Sequence, residues 1–342
     1  MSAGAEAALP SAPPVGRRDG GPAAHADVAV GPGARGELAA IVSLVGPGRV
    51  VEADVLDADG IERTGGDPSS IRAVLGASPG DPLSQLPSLV WVHSAAAGVD
   101  GWLTGAGLSE QVTLTSAVGN GAIPLAEHAL MLMLMLDRDA PRWFRAQQEH
   151  RWDRHVHGEL AGSALGIIGY GNSGRDLARK ALACHMDVRA LRRRGPAGEE
   201  DGVRVLTGDD GLHELLRESD VVVVTAPYTS ATAGMLGREE LAMMRPGSHL
   251  VVISRGGIVD EDALVEALRA GHLAGAGLDA HAVEPLPPDS PLWELPGVIV
   301  TPHNGATTRA TAQRGRKIML ENLRRWRDGR ELVNVVDREN GY

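Results

Sequence analysis

The chain has 342 residues, room for about two domains, and it carries 33 Lys and Arg against 44 Asp and Glu for a formal charge of −11. That balance argues against general nucleic-acid binding, which needs a basic surface to neutralise phosphates, and the single cysteine, Cys184, excludes an internal disulfide framework and a thiolate metal cluster. Hydrophobic residues make up 43% and aromatic residues only 3%, so a sizeable but aliphatic core is expected.

Residues 1–36 are rich in Ala, Gly and Pro. They offer too little apolar surface to offset the entropy of ordering and read as a disordered tail. Arg17 and Arg18 are followed by no apolar segment of export-signal length, and no apolar run is long enough for a membrane span. A cytoplasmic protein with no membrane partner is the expectation. Residues 39–45, bounded by Gly46-Pro47-Gly48, read as a strand. Residues 72–75 and 89–93 read as further strands of a small α/β domain. The small residues that follow, Ser94-Ala95-Ala96-Ala97-Gly98, would let a backbone approach a ligand; a tight turn without a ligand explains them equally well.

Residues 123–136 read I-P-L-A-E-H-A-L-M-L-M-L-M-L. Pro124 suits a first helical turn. The rest is apolar on nearly every face, so this helix is expected to be buried or shared with a second subunit. Its methionines read as packing residues. Residues 138–153 are polar with interspersed tryptophan, a segment that would wrap over a surface or a partner.

Residues 165–174 read L-G-I-I-G-Y-G-N-S-G, a short apolar run turning sharply into a helix. Gly169 would make the turn, Gly171 would let the backbone approach a pyrophosphate, and Gly174 would let helix and strand pack closely. Tyr170, Asn172 and Ser173 lie between them and join the candidate cofactor-binding residues. A chain with 44 glycines produces such matches by chance. The apolar run before this one and the helical pattern Leu177, Ala178, Ala181, Leu182 after it make it more specific. Residues 187–191 then form a second strand. An acidic residue about 20 positions past the glycines commonly binds the adenosine ribose. Here Arg192, Arg193 and Arg194 stand there, and arginine suits a 2′-phosphate by charge and by its fork. NADP is therefore expected over NAD, the other reading being one arginine stacked on adenine with its neighbours solvated.

Apolar strands at 220–226, 249–254, 274–279 and 298–300, with a helix at 260–270 that Asp260 would cap, fit a doubly wound parallel sheet. Ligands bind outside the carboxyl ends of such strands. Arg255, Asp279, Glu284 and His303 all lie there. An arginine fork matches a substrate carboxylate. A histidine, whose ordinary pKa lies near the working pH, can protonate a ketone oxygen as hydride reaches carbon. A carboxylate on its other ring nitrogen fixes the tautomer and stabilises the cation. Arg255, His303 and Glu284 take these roles in a 2-oxo acid reduction. His93, His128, His155, His157 and His281 are rival histidines. There is no H-E-x-x-H pair, and His155 and His157 lack supporting carboxylate spacing, so no metal is expected.

Six blocks occur in order: A-G-V-D at 97–100, P-L-A-E-H at 124–128, G-Y-G-N-S-G at 169–174, S-R-G-G-I-V-D-E at 254–261, G-L-D-A-H-A-V-E-P-L-P at 277–287 and T-P-H at 301–303. Together they resemble the D-isomer-specific 2-hydroxyacid dehydrogenases, including glyoxylate/hydroxypyruvate reductases and phosphoglycerate dehydrogenases. The resemblance implies two Rossmann-like domains, with a dinucleotide-binding domain (137–302) inserted into a discontinuous substrate domain (37–136 and 303–342). It implies that Arg255, Glu284 and His303 are catalytic and that the backbone at Ala96, Ala97 and Gly98 also holds the substrate carboxylate. It implies that Asp279 bonds the nicotinamide carboxamide, with Ala226, Pro227, Ser254, His303 and Gly305 also against the cofactor. It further implies a homodimer that reduces a small 2-oxo acid to a D-2-hydroxy acid with NADPH or NADH. Ala280 and His281 depart from the aromatic residue common after the aspartate, and His281 reads as a packing replacement. No extra regulatory domain is expected. Two other functions remain open, a cofactor-sensing corepressor of the same fold and a dehydrogenase of a small anion such as formate or phosphite.

Overall fold

The computed structural model describes residues 27–104 and 108–341. Two units emerge, Met1–Val118 with Gln313–Arg338, and Gly119–Ala312 with Glu339–Tyr342. The chain therefore crosses between them at 118/119 and 312/313, rather than near 136 and 303, and again at 338/339.

The first unit contains β1 (Asp27–Val30), α1 (Leu38–Val45), β2 (Val50–Glu52), α2 (Ala58–Arg63), β3 (Ile71–Ala77), β4 (Trp91–Ser94), α3 (Asp100–Thr104) and β5 (Thr113–Ser116). Its strands form a parallel sheet in the order β2-β1-β3-β4-β5. Successive side chains point to opposite faces, and both faces are covered. Ala29, Val74, Val92 and Leu114 pack on one side, and Val28, Val30, Leu75 and Trp91 on the other.

Two expectations for this region are corrected. The proposed tail ends too late: residues 1–26 lie outside the described residues, but 27–30 are β1, between β2 and β3. Val28, Ala29 and Val30 are fully buried. Four residues suffice for a central strand once neighbours supply both ladders and both faces. Residues 39–45 are not a strand but most of α1. A short apolar run fits either state, and tertiary burial decides it. Here Ile41 and Val45, four apart, are buried while Ala39 and Ser43 are exposed, which is helical spacing.

The second unit contains α4 (Ala122–Asp137), α5 (Ala140–Gln148), β6 (Ala164–Ile168), α6 (Asn172–Ala183), β7 (Asp187–Leu191), β8 (Gly198–Glu200), β9 (Val203–Leu206), α7 (Gly208–Glu218), β10 (Val221–Val224), α8 (Arg238–Met243), β11 (His249–Val252), α9 (Glu261–Arg269), β12 (Gly275–Leu278) and β13 (Val298–Val300). The sheet order is β13-β12-β11-β10-β6-β7-β9-β8, and β8 alone runs antiparallel. Winding proceeds outward from β6 in both directions, so the chain changes direction between β6 and β10. Helices cover both faces. Leu132, Met133 and Leu136 of α4 pack with Leu177 and Ala181 of α6 on one side, and Leu215, Leu241 and Leu264 of α7, α8 and α9 line the other.

That packing explains the corrected crossing point, because the apolar residues of α4 join Leu165 and Ile167 of β6 and belong to the second core. Of the two alternatives for α4, burial or sharing with a second subunit, burial within this chain is incomplete, since Ile123, Met131 and Leu134 remain 44%, 40% and 39% exposed. Asp260 caps α9 by accepting from Ala263 N at 3.0 Å. The last helix, α10 (Arg309–Arg327), begins in the second unit and returns the chain to the first. There Met319 and Leu323 join Val28, Val30 and Trp91. No helix among the described residues is long and apolar enough to cross a membrane.

Candidate active site

The glycine-rich stretch is a strand–turn–helix. Buried β6 ends at Ile168, and Gly169 turns with φ +106°, where a Cβ would stand 2.5 Å from Ala226 N. A Cβ on Gly174 would collide with the Gly169 carbonyl, so α6 packs against the strand only with glycine there. Gly171 differs, because a Cβ there would meet nothing within 4 Å. It is also the N-cap of α6, with no side chain capping the first turn. An uncapped helix start presents N–H groups and a partial positive charge. Open space before such a start fits the pyrophosphate of a dinucleotide. Tyr170 is buried beneath the Arg175 guanidinium, 4.3 Å from its ring centroid.

Arg192, Arg193 and Arg194 follow β7 as expected. Arg192 Nη1 donates to Glu200 Oε2 at 2.8 Å, and Arg175 bonds the other oxygen of the same carboxylate. The bond from Arg175, then that from Arg192, hold Glu200 below the usual carboxylate range against the opposing effect of burial. Arg193 donates to Asn340 Oδ1 at 3.0 Å. The sequence reading missed Glu200. Its only signal was Glu199-Glu200 shortly after the arginines, and the antiparallel β8 brings it back beside them.

The proposed catalytic set lies on turns after β11, β12 and β13. Arg255 donates to Ser254 O at 2.7 Å. A Cβ on the next residue, Gly256, would overlap the His281 carbonyl, so the Arg255 turn lies directly against the turn that carries Glu284. Glu284 Oε1 accepts from His281 N at 2.9 Å. His303 Nδ1 stands 2.8 Å from Glu284 Oε2 and 3.0 Å from Oε1, leaving Nε2 as the ring nitrogen for a ligand. Burial raises the Glu284 pKa, but the His281 N–H and the His303 ring outweigh it, and the net shift is below the usual value. Both side chains are 37% exposed, so the pair is open to a substrate. His303 itself has φ +49°.

Asp279 is fully buried. It accepts from Thr301 Oγ1 at 2.6 Å, Asn304 N at 3.0 Å and Gly305 N at 2.9 Å. His128 Nε2 lies 3.0 Å from Thr301 Oγ1, and His281 Nε2 lies 3.3 Å from Thr301 O. The structure thus brings Asp279, Glu284, His303 and Gly305 together and adds His128 and Thr301, which sequence reasoning left without roles although both sit in quoted motifs. Ala226 is buried beside Gly169, Ser254 is half-buried, and Pro227 is exposed at the end of the β10 strand region.

The other histidines have other surroundings. His93, on β4, is fully buried with Nδ1 2.8 Å from Thr115 Oγ1, and burial pushes its pKa down to about 4. His155 and His157 pack on the Trp143 ring at 5.5 and 5.6 Å. Among the described residues no three His, Cys, Asp or Glu side chains gather into a cation site. Ala96 and Ala97 are exposed and Gly98 half-buried in the loop after β4 of the first unit, where Ala96 O accepts from Ala117 N at 3.1 Å.

Residues 130–305 match the D-isomer specific 2-hydroxyacid dehydrogenase, NAD binding domain. The chain is 36% identical over 253 residues to D-3-phosphoglycerate dehydrogenase of Archaeoglobus fulgidus, a match covering 72% of this chain and 47% of that one. It therefore spans about half the length of that curated relative. A D-isomer specific 2-hydroxyacid dehydrogenase from Xanthobacter autotrophicus Py2, solved with NADPH and MES, superposes with a TM-score of 0.81 at 32% identity, over 93% of this chain and 100% of that one. An NADPH-dependent glyoxylate/hydroxypyruvate reductase from Sinorhizobium meliloti, solved with NADP and sulfate, gives 0.78 at 30% identity, over 93% and 100%. A family match that spans both the glycine cradle and the turns bearing Arg255, Glu284 and His303, joined by likeness to whole solved members, establishes that this chain belongs to the D-isomer specific 2-hydroxyacid dehydrogenase family.

Proposed function

We propose that the protein reduces a small 2-oxo acid to the D-2-hydroxy acid with NADPH or NADH. The observation that carries this reading is the His303–Glu284 pair, with Nδ1 on the carboxylate and Nε2 left for substrate, beside the Arg255 turn. The bound cofactor supplies hydride to the carbonyl carbon. Nε2 of His303 gives a proton to the carbonyl oxygen, where negative charge develops, and takes it back in the reverse direction. Glu284 keeps a proton on Nδ1 and stabilises the imidazolium. The Arg255 fork, with the backbone at Ala96, Ala97 and Gly98, holds the substrate carboxylate. Gly169, Gly171 and Gly174 with the start of α6 hold the pyrophosphate, and Asp279 holds the carboxamide.

NADP is the preferred cofactor in this reading. The run Arg192–Arg194 after β7 supports it, as do the NADPH and NADP in two solved relatives. A cytoplasmic homodimer also belongs to it, and the exposed apolar side chains of Trp152 and Val156, 91% and 99% accessible, support the dimer.

The test is NADPH and NADH oxidation by the purified protein with glyoxylate, hydroxypyruvate and phenylpyruvate. Turnover of at least one acid, faster with NADPH, is expected. Arg192→Asp should shift preference towards NADH, and an unmoved ratio would remove Arg192 from the ribose-phosphate site. Tight cofactor binding without turnover of any acid favours a corepressor-like protein. Hydride production from formate or phosphite without 2-oxo acid reduction favours an anion dehydrogenase.

A further inference from the structure

Asp279 and His303 serve different partners in the proposed reaction, yet Thr301 touches the mountings of both. Its backbone N donates to Leu278 O at 2.8 Å, which ties the end of β13 to the end of β12. Its carbonyl accepts from His303 N at 3.0 Å and lies 3.3 Å from His281 Nε2. Its hydroxyl is 2.6 Å from Asp279 Oδ1. A carboxylate can only accept, so the hydroxyl hydrogen lies on that bond. His128 Nε2, 3.0 Å from the same hydroxyl oxygen, is then the donor to it.

Asp279 carries the arrangement further. Its Oδ1 also accepts from Asn304 N, and its Oδ2 from Gly305 N, the two peptide groups just past His303. These bonds hold the chain on the far side of a residue in the left-handed region. A carboxylate offers about four acceptor sites. Three hydrogen bonds reach it here, two on Oδ1 and one on Oδ2, and His128 Nε2 also lies 3.5 Å from Oδ1, so Oδ2 is the oxygen with an acceptor site left for the carboxamide. Gly305 fits this crowding, since a Cβ there would stand 2.8 Å from Asp279 Oδ2 and 3.1 Å from the His128 ring.

We propose that Thr301 is a positioning residue that locks the cofactor-binding carboxylate and the turn bearing the proton donor into one arrangement, with His128 setting the direction of its hydroxyl. This rests on the dehydrogenase reading, which it deepens. Orientation of the carboxamide and placement of the His303 ring then depend on one hydroxyl group that touches neither cofactor nor substrate.

Thr301→Val keeps the shape and removes the hydroxyl. Asp279 Oδ1 then keeps only Asn304 N as a hydrogen-bond donor, His128 Nε2 keeps only that carboxylate oxygen, 3.5 Å away, and the carboxylate is held less firmly. The expected result is a rise of about tenfold in KM for NADPH, as an unpaired buried polar group commonly costs. A fall of up to about a hundredfold in kcat is expected from misplacement of the reacting groups. Thr301→Ser should restore most of both. Wild-type kcat and KM in Thr301→Val overturn the proposal, as does a serine variant as impaired as valine, which would mean that only the methyl group matters. If Thr301→Val does not fold, His128→Gln, which keeps a donor, against His128→Leu, which does not, makes the same comparison: glutamine near wild type with leucine impaired supports it, and two equal variants overturn it. Should the wild-type protein reduce no 2-oxo acid, the activity reading fails alone. Calorimetric titration with NADPH then decides this proposal: weakened binding in valine but not serine upholds it, and equal binding overturns it.

Discussion

The two sheets are wound in the same way around their first strands, β1 and β6, but the chain does opposite things at the two crevices. After β1 a 3-10 turn, Pro32–Glu37, lies on the end of β3. A Cβ on Gly33 would stand 2.9 Å from Gly76 O, and one on Gly76, at φ +76°, would collide with Ala34. The chain fills its own crevice there with backbone. After β6 the turn is equally tight at Gly169, but Gly171 faces open space at an uncapped helix start. Parallel winding makes a crevice where direction reverses. The position of the glycines decides whether backbone or ligand occupies it, which is why similar topology does not imply similar function.

The largest test of this contrast concerns chemistry. His303→Ala should lower kcat by about 10²–10⁴-fold with NADPH affinity nearly unchanged, as read by NADPH oxidation and calorimetric titration. A normal kcat would take proton transfer away from the second crevice. Next comes a matched pair. Gly76→Val forces a β-branched residue into the left-handed region and against backbone, for a cost of about 4 kcal/mol. A Cβ on Gly171 meets no atom of the chain within 4 Å, so Gly171→Val should cost far less than Gly76→Val, about 1 kcal/mol for a poorer N-cap, while binding NADPH at least about tenfold more weakly. Thermal melts and titrations of both variants check this, and a stable Gly76→Val would break the comparison. The smallest effect is the acid response of His93, which is buried in the first unit and outside the proposed chemistry. Its pKa is lowered from 6.5 to about 4, so the unfolded chain takes up the proton first. The stability that His93 contributes is complete above pH 6.5 and is lost as pH falls towards 4, by about 3 kcal/mol. His93→Asn should flatten the melting temperature over that window, and an unchanged slope would exclude His93 as its source.

The second unit was more legible than the first, for a physical reason. Strands buried on both faces read as continuous apolar runs, and V-V-V-V of β10 or A-L-G-I-I of β6 has no other plausible role. Val28, Ala29 and Val30 of β1 are equally buried, but they emerge from a segment of Gly, Pro and Ala that hides them. Arg255, Glu284 and His303 were legible because each follows a strand end. The partnerships of Thr301 with His128, 173 positions apart, and of Glu200 with Arg192 were not. They depend on which turns the sheets bring together, and neither residue type nor spacing encodes that.

The return of α10 has a consequence for synthesis. Met319 and Leu323 complete a core that Val28 and Val30 begin, and Val336 packs with Val92 and Leu114. Everything needed for the second core lies between these contributions. As the chain leaves the ribosome, the core that starts first is therefore the one that finishes last. Domains generally fold as units in the order in which they are made; here the inserted unit can close around β6 while the apolar surfaces of β1, β3 and β4 still await α10.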